Sequence, residues 1–121
     1  MSKRDIEKAR EIIDELAEEQ GAVIIVEGKR DKEALVSLGI ESGRIMTLSG
    51  SIQETSEKAA RKSKKAIVLT DYDRTGRAIA GKLKRCLVSE GVNPNFEFRR
   101  KLRKHLMFTF VEEIPSLLLK G

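Results

Sequence analysis

Apolar residues at Ile6, Ala9, Ile13, Leu16 and Ala17 recur at intervals of three and four until Gly21, which lays them along one face of a helix. Ser2 followed by Asp5 resembles a capping box, so this helix is predicted over residues 3–19. The pattern then changes. Ala22 to Val26 is an unbroken, largely β-branched apolar run of the kind found in strands covered on both faces, and it stops at Glu27 and Gly28. Lys29 to Leu38 returns to helical spacing with Ala34, Leu35 and Leu38 inward, and Gly39 ends it. Arg44 to Leu48 suggests a second strand. Ser51 and Glu54 form a capping box for a third helix running to about Lys62. Ala66 to Thr70 is the third covered strand, and Thr75 to Glu90 reads as a helix presenting Ile79, Ala80, Leu83 and Leu87. After Gly91 and Pro94, Asn95 to Phe98 is a fourth strand.

Strands alternating with helices of crossover length predict an α/β fold: a roughly four-stranded parallel sheet, Rossmann-like, with right-handed connections and helices on both faces. The tail is less regular. Leu102, Leu106 and Phe110 keep helical spacing, Met107 to Val111 is apolar apart from Thr109, and Pro115 breaks the final stretch. With 121 residues and 40% apolar content, one domain over residues 1–121 is expected, its core at about 20–98 and a basic, apolar tail at 99–121.

Composition removes several classes of function. The longest apolar run falls far below the roughly 20 residues of a membrane helix, and the charged N-terminus is unlike a signal peptide, so a cytoplasmic, non-membrane protein is expected. One cysteine, Cys86, and one histidine, His105, exclude an internal disulfide and the usual zinc sites. Cys86 reads as a small core residue and His105 as a surface residue of the tail. A charged content of 36% beside four Asn and Gln residues matches heat-adapted proteins.

Charge is unevenly placed. Residues 1–31 hold six Lys/Arg against nine Asp/Glu, whereas residues 74–105 hold ten against two, and Arg99, Arg100, Lys101, Arg103 and Lys104 stand almost together. Such a run is either a solvated face or a surface for a polyanion; the clustering favours phosphate contact, hence RNA or DNA as partner.

In open parallel sheets, ligands bind beyond the carboxyl ends of the strands. Two of those ends carry acids: Glu27 after the first strand, Asp71 and Asp73 after the third. Two aspartates separated by one residue in extended chain point to the same side and can share a hard cation; magnesium fits, with manganese as a substitute. Glu27 is then a general acid or base, or a further ligand. The alternative for the aspartates is helix capping. Gly28, Gly50 and Gly76 border the expected crevice and leave room for phosphate, and Lys29 and Arg30 come directly after Gly28. Arg74 and Arg77 open a helix, where cations are disfavoured unless an anion is near. Tyr72 is expected to point outward or stack on a base.

The stretches VIIVEGKRD, from Val23, and AIVLTDYDRTGRAIAGKL, from Ala66, resemble the Toprim domain, and the likeness covers about residues 20–98. That domain is shared by topoisomerases, bacterial-type primases, recombination-repair proteins, overcoming-lysogeny-type nucleases and ribosomal-RNA maturation nucleases. DYDRTGRAIA is nearest the primase form, and the spacing from Leu38 to Ala60 resembles small archaeal primase-like members. The resemblance implies Glu27 as catalytic acid or base and Asp71 and Asp73 as magnesium ligands. Tyr72 stands where primases usually carry glycine. It is also the only tyrosine, badly placed as a topoisomerase nucleophile, so strand passage is not expected. Autonomous priming is not expected from a chain of this length.

Three functions stand as expectations. One is a magnesium-dependent nuclease or related phosphotransferase whose basic tail holds the strand. Another is a non-catalytic nucleic-acid-binding module of a larger RNA-processing, primase or repair assembly, docking a protein partner or a second copy through Phe108, Phe110 and Leu117 to Leu119. The third is a haloacid-dehalogenase-type phosphohydrolase, since DYDRT satisfies D-x-D-x-T; the 46 residues after Thr75 are too few for the rest of that fold.

Overall fold

The structure, a computed structural model, describes residues 4–120. Its elements run α1 (Ile6–Glu18), β1 (Val23–Val26), α2 (Lys29–Ser37), β2 (Ile45–Thr47), α3 (Ile52–Lys62), β3 (Lys65–Val68), α4 (Arg74–Ser89), β4 (Asn93–Asn95), α5 (Glu97–Leu106) and α6 (Ile114–Leu118). The four strands form one parallel sheet in the order β2-β1-β3-β4, with Ile24 opposite Ile45 and Ile67. This is the α/β fold that the alternation of strands and helices predicts.

The unbroken apolar runs of β1 and β3 are explained by covering on both sides. Ile24, Val26, Ile67 and Leu69 face a cluster built with α1, α5 and the C-terminal segment, whereas Val23, Ile25, Ala66 and Val68 face Ala59 of α3 and Leu83 and Leu87 of α4. Each fully buried Leu, Ile or Val contributes about 1.5–3 kcal/mol, so these layers fix the strand ends and the residues just beyond them.

Local signals set most boundaries. Ser51 Oγ accepts the Glu54 N–H and the Glu54 carboxylate accepts the Ser51 N–H, the capping box that starts α3. At α1 the cap differs from expectation: Asp5 itself is the N-cap, accepting the Lys8 N–H at 3.1 Å, and Ser2 lies outside the described residues. The fourth strand also lies two residues earlier than its expected place. Pro94, which cannot donate to a ladder, is accommodated because β4 is an edge strand, and the chain after Asn95 turns directly into α5.

The largest correction concerns the tail. α5 buries Leu102 and Leu106, Met107 adopts the left-handed conformation that stops the helix, and the chain folds back over the sheet. Phe108, Leu117 and Leu118 are buried core, so they are not the docking surface the apolar tail suggested; only Phe110 and Leu119 of that set are exposed. Phe110 leaves the helical face because the left-handed turn at Met107 breaks the spacing. Cys86 is partly exposed rather than core. No helix among the described residues is long and apolar enough to cross a membrane.

Candidate metal centre

The chain leaves β1 toward β2 and returns across it to β3, so the direction of winding reverses between β1 and β3. Their carboxyl ends therefore flank an open crevice. Glu27 follows β1 there, and Asp71 and Asp73 follow β3. One carboxylate oxygen from each of the three lies within 4.8 Å of the others, and all three side chains are half-buried. Residues 44 positions apart in sequence thus converge on one point.

Backbone amides hold each carboxylate. Glu27 Oε2 accepts the Asp71 N–H at 2.7 Å, tying the two strand ends together. Asp71 Oδ1 accepts the Val111 N–H at 2.7 Å, and Asp73 Oδ1 accepts the Gly76 N–H at 2.7 Å as N-cap of α4. Asp73 therefore does cap a helix, and does so while belonging to the cluster. Among the described residues no lysine or arginine pairs with any of the three carboxylates.

Burial first, and crowding after it, set their electrostatics. Burial pushes the Glu27 carboxyl above the ordinary carboxylate range, and the negative charges of Asp71, Asp73 and Asp31 push the same way against the Asp71 amide. Burial likewise raises Asp71, opposed by the Val111 amide and reinforced by Asp73. Asp31, 7% exposed, is raised by burial and then by Asp71. A raised acid stabilises the fold fully below its unfolded-state value, and that stabilisation disappears as pH climbs through its folded-state value. In chelator, the Glu27→Gln/Asp71→Asn double variant should therefore melt above the wild type at neutral pH, with the gap closing as pH falls into the carboxylate range. A gap that widens toward acid in paired melts would contradict this.

The donor set suits a hard divalent cation. It offers oxygen alone, with no histidine or thiolate, and its partial exposure leaves coordination positions for water and phosphate. A cation here would also relieve the repulsion that raises these acids.

The other expected residues divide. Gly28, Lys29 and Arg30 line a cavity of about 390 Å³ beside Glu27 and Asp71, with the two cationic side chains exposed at its rim. Gly50 is not part of that cavity. Its φ of +70° serves the turn into α3, where a Cβ would stand 2.7 Å from the Glu54 carboxylate. Gly76 is required by the protein's own backbone rather than by a phosphate, since a Cβ there would lie 2.2 Å from the Asp71 carbonyl oxygen. Gly76→Ala should force α4 away from the Asp71–Asp73 loop and cost about 2–3 kcal/mol, a scale set by overpacking, measurable by urea denaturation. Arg74 and Arg77 are exposed on the first turn of α4.

The basic run of α5 separates by helical phase. Arg99 and Arg103 turn inward: Arg99 donates to the Thr70 and Asp71 carbonyls at 2.9 and 2.8 Å, and Arg103 donates to the Phe108 carbonyl. Arg99 is thus a buried strap on the loop that carries Asp71 and Asp73, not the phosphate contact expected of the basic tail. Arg100, Lys101 and Lys104 remain exposed, with Arg100 paired to Glu97. Tyr72 does not point freely outward either. It packs edge-on against Phe108, and the Arg99 guanidinium lies 3.9 Å from its ring centroid.

Sequence reasoning missed Asp31, Val111 and Glu112. Asp31 accepts the Gly28 N–H at 3.1 Å at the start of α2, a signal legible as an acid three residues after the turn glycine. Val111 and Glu112 reach the site only because the C-terminal segment folds back, which no local pattern announces.

Comparison with known proteins bears on the family and the fold. A Toprim domain profile matches residues 22–104. The UPF0292 protein of Methanosarcina barkeri is 42% identical over 84% of this chain and 72% of its own, and that of Archaeoglobus fulgidus is 37% identical over 88% and 86%. A solved structure of an Aquifex aeolicus protein superposes with a TM-score of 0.76 at 36% identity, covering 85% of this chain and 94% of the other. The crystal structure of the Aquifex aeolicus primase, comprising zinc-binding and RNA polymerase domains, superposes with a TM-score of 0.55 at 25% identity over 93% of this chain and 28% of the primase chain. With the profile spanning most of its length and relatives of this identity alongside, the chain belongs to the Toprim domain family.

Proposed function

We propose that this protein is a magnesium-dependent enzyme of nucleic-acid phosphodiester chemistry, a nuclease or RNA/DNA-processing factor. The observation that carries the reading is the convergence of Glu27, Asp71 and Asp73, amide-anchored and without a cationic partner among the described residues, at the switch point of the sheet. Glu27, Asp71 and Asp73 would hold the cation, which supplies charge stabilisation at a phosphoryl oxygen and lowers the pKa of a bound water.

The chain's own residues do the rest. Amide hydrogen bonds keep the aspartates from rotating, so the site is organised before substrate arrives. Glu27, half-buried beside the two aspartates and tied to the Asp71 N–H, is placed to donate a proton to a leaving oxygen or accept one from an attacking one. Lys29 and Arg30 at the cavity rim meet the phosphate, and Arg74 and Arg77 extend the cationic border along α4.

A second reading, a binding module without turnover that works inside a larger assembly, is favoured by one fact: the matching fold occupies only 28% of the primase chain. The two are separated by incubating labelled structured RNA, single-stranded RNA and DNA with wild type, Glu27→Gln and Asp73→Asn in magnesium, manganese or chelator. The enzyme reading expects cleavage in either metal that vanishes in chelator and in both variants. Cleavage that survives both substitutions would reject the site, and salt-sensitive binding with no cleavage would select the second reading.

A further inference from the structure

A groove of about 350 Å³ runs between α4 and the start of α5, and it begins at the metal loop, because Tyr72, between Asp71 and Asp73, forms part of its wall. Its other walls include Gly81 and Lys84 of α4, Phe96, and Arg100 of α5. Arg77, Gly81 and Lys84 are spaced four and three apart, so they share one face of α4. Glu97 is the one acid in the lining, and it forms an exposed pair with Arg100. With Lys84, Arg99 and Arg100 against Glu97 alone, the groove lining is net positive, and Tyr72, Ala80 and Phe96 give it apolar walls.

Gly81 is the second observation. It sits in the interior of a 16-residue helix, where glycine costs stability relative to alanine. Nothing among the described residues requires it: the only neighbour within 4 Å of the place a Cβ would occupy is the flexible tip of Arg85, at 3.9 Å. Gly76, five residues earlier, is demanded by contact with the Asp71 backbone, so the two glycines have different causes. A glycine that lowers helix stability and faces an open groove leaves space for something outside the chain.

We propose that this groove holds a single strand of nucleic acid next to the metal centre, its phosphates on Lys84 and Arg100 and an unpaired base lying over Gly81 against Phe96. The proposal rests on the phosphodiester reading above and names the substrate class for it. Charge selects a polyanion. Aromatic walls and the absent side chain select unpaired bases, because a duplex hides its base faces and offers only phosphates to such a surface. RNA and DNA single strands share this chemistry.

The test is fluorescence anisotropy of the full chain in chelator, which removes metal from the measurement, using labelled oligo-U, oligo-dT and a blunt DNA duplex. Both single strands should bind more tightly than the duplex. Gly81→Leu should weaken single-strand binding roughly tenfold, the scale of one lost base stack, while its melting temperature stays at or above that of the wild type. Lys84→Ala with Arg100→Ala should weaken binding by a similar factor and flatten the log-log salt slope by about 1.4, the value for two phosphates on a single strand. Duplex binding as tight as single-strand binding, or unchanged affinity in folded Gly81→Leu and in the double variant, would overturn the proposal. If these variants bind as wild type while Asp73→Asn abolishes cleavage, the groove fails and the metal centre stands; if they lose binding while Asp73→Asn still cleaves, the reverse holds.

Discussion

Asp71→Asn should abolish metal-dependent cleavage, by roughly a thousandfold or more, while leaving the protein folded. Withdrawing one charged ligand from a three-carboxylate set takes away several kcal/mol of transition-state charge stabilisation, and each 1.36 kcal/mol is a factor of about ten in rate. The fold survives because the asparagine side-chain oxygen can still accept the Val111 N–H that Asp71 Oδ1 accepts at 2.7 Å. Loss of charge also relieves repulsion from Asp73, so the metal-free variant should be at least as stable as the wild type. The separating readout is thermal: magnesium should raise the melting temperature of the wild type, as any ligand of the native state does, and should leave the variant unmoved. A variant that still gains stability from magnesium would place the cation elsewhere.

Phe108→Ala should cost about 3–5 kcal/mol, the range for deleting a fully buried phenylalanine. Phe108 is 0% exposed, belongs to the cluster under β1, β3, α1 and α5, and supports the Tyr72 ring at a centroid distance of 5.4 Å. Against a typical domain stability of about 5–15 kcal/mol, the loss is large enough to move the urea midpoint substantially. Because Tyr72 lies between two of the three acids, the variant should also lose part of its magnesium-induced thermal shift. A cost below about 1 kcal/mol would mean that the C-terminal segment is not core, and would restore it as a surface for partners.

Much of the fold is legible in the sequence. The apolar runs of β1 and β3, the Ser51 and Glu54 box and the glycines after α2 and α4 are local signals, each acting within a few residues, and local signals survive translation into structure. The acids were legible for a related reason: parallel strands end on one side of a sheet, so a residue just past each strand has a known destination. The illegible part depends on contacts across long sequence separations. Nothing near Arg99 says that its guanidinium will close on the Thr70 and Asp71 carbonyls, 29 and 28 residues away, and nothing near Val111 points to an acid 40 residues earlier.

Sequence alone thus determined the order and type of the elements from α1 to α4, the two covered central strands and the three acids beyond them, because periodicity and chain direction act locally. Tertiary structure decided the fate of the basic and apolar tail. The left-handed turn at Met107 sends the chain back over the sheet, where burying Phe108 and Val111 removes apolar surface from water and α5's phase turns Arg99 inward. One stretch of sequence is therefore divided between core, strap and cationic surface by helix phase and burial, which composition does not record.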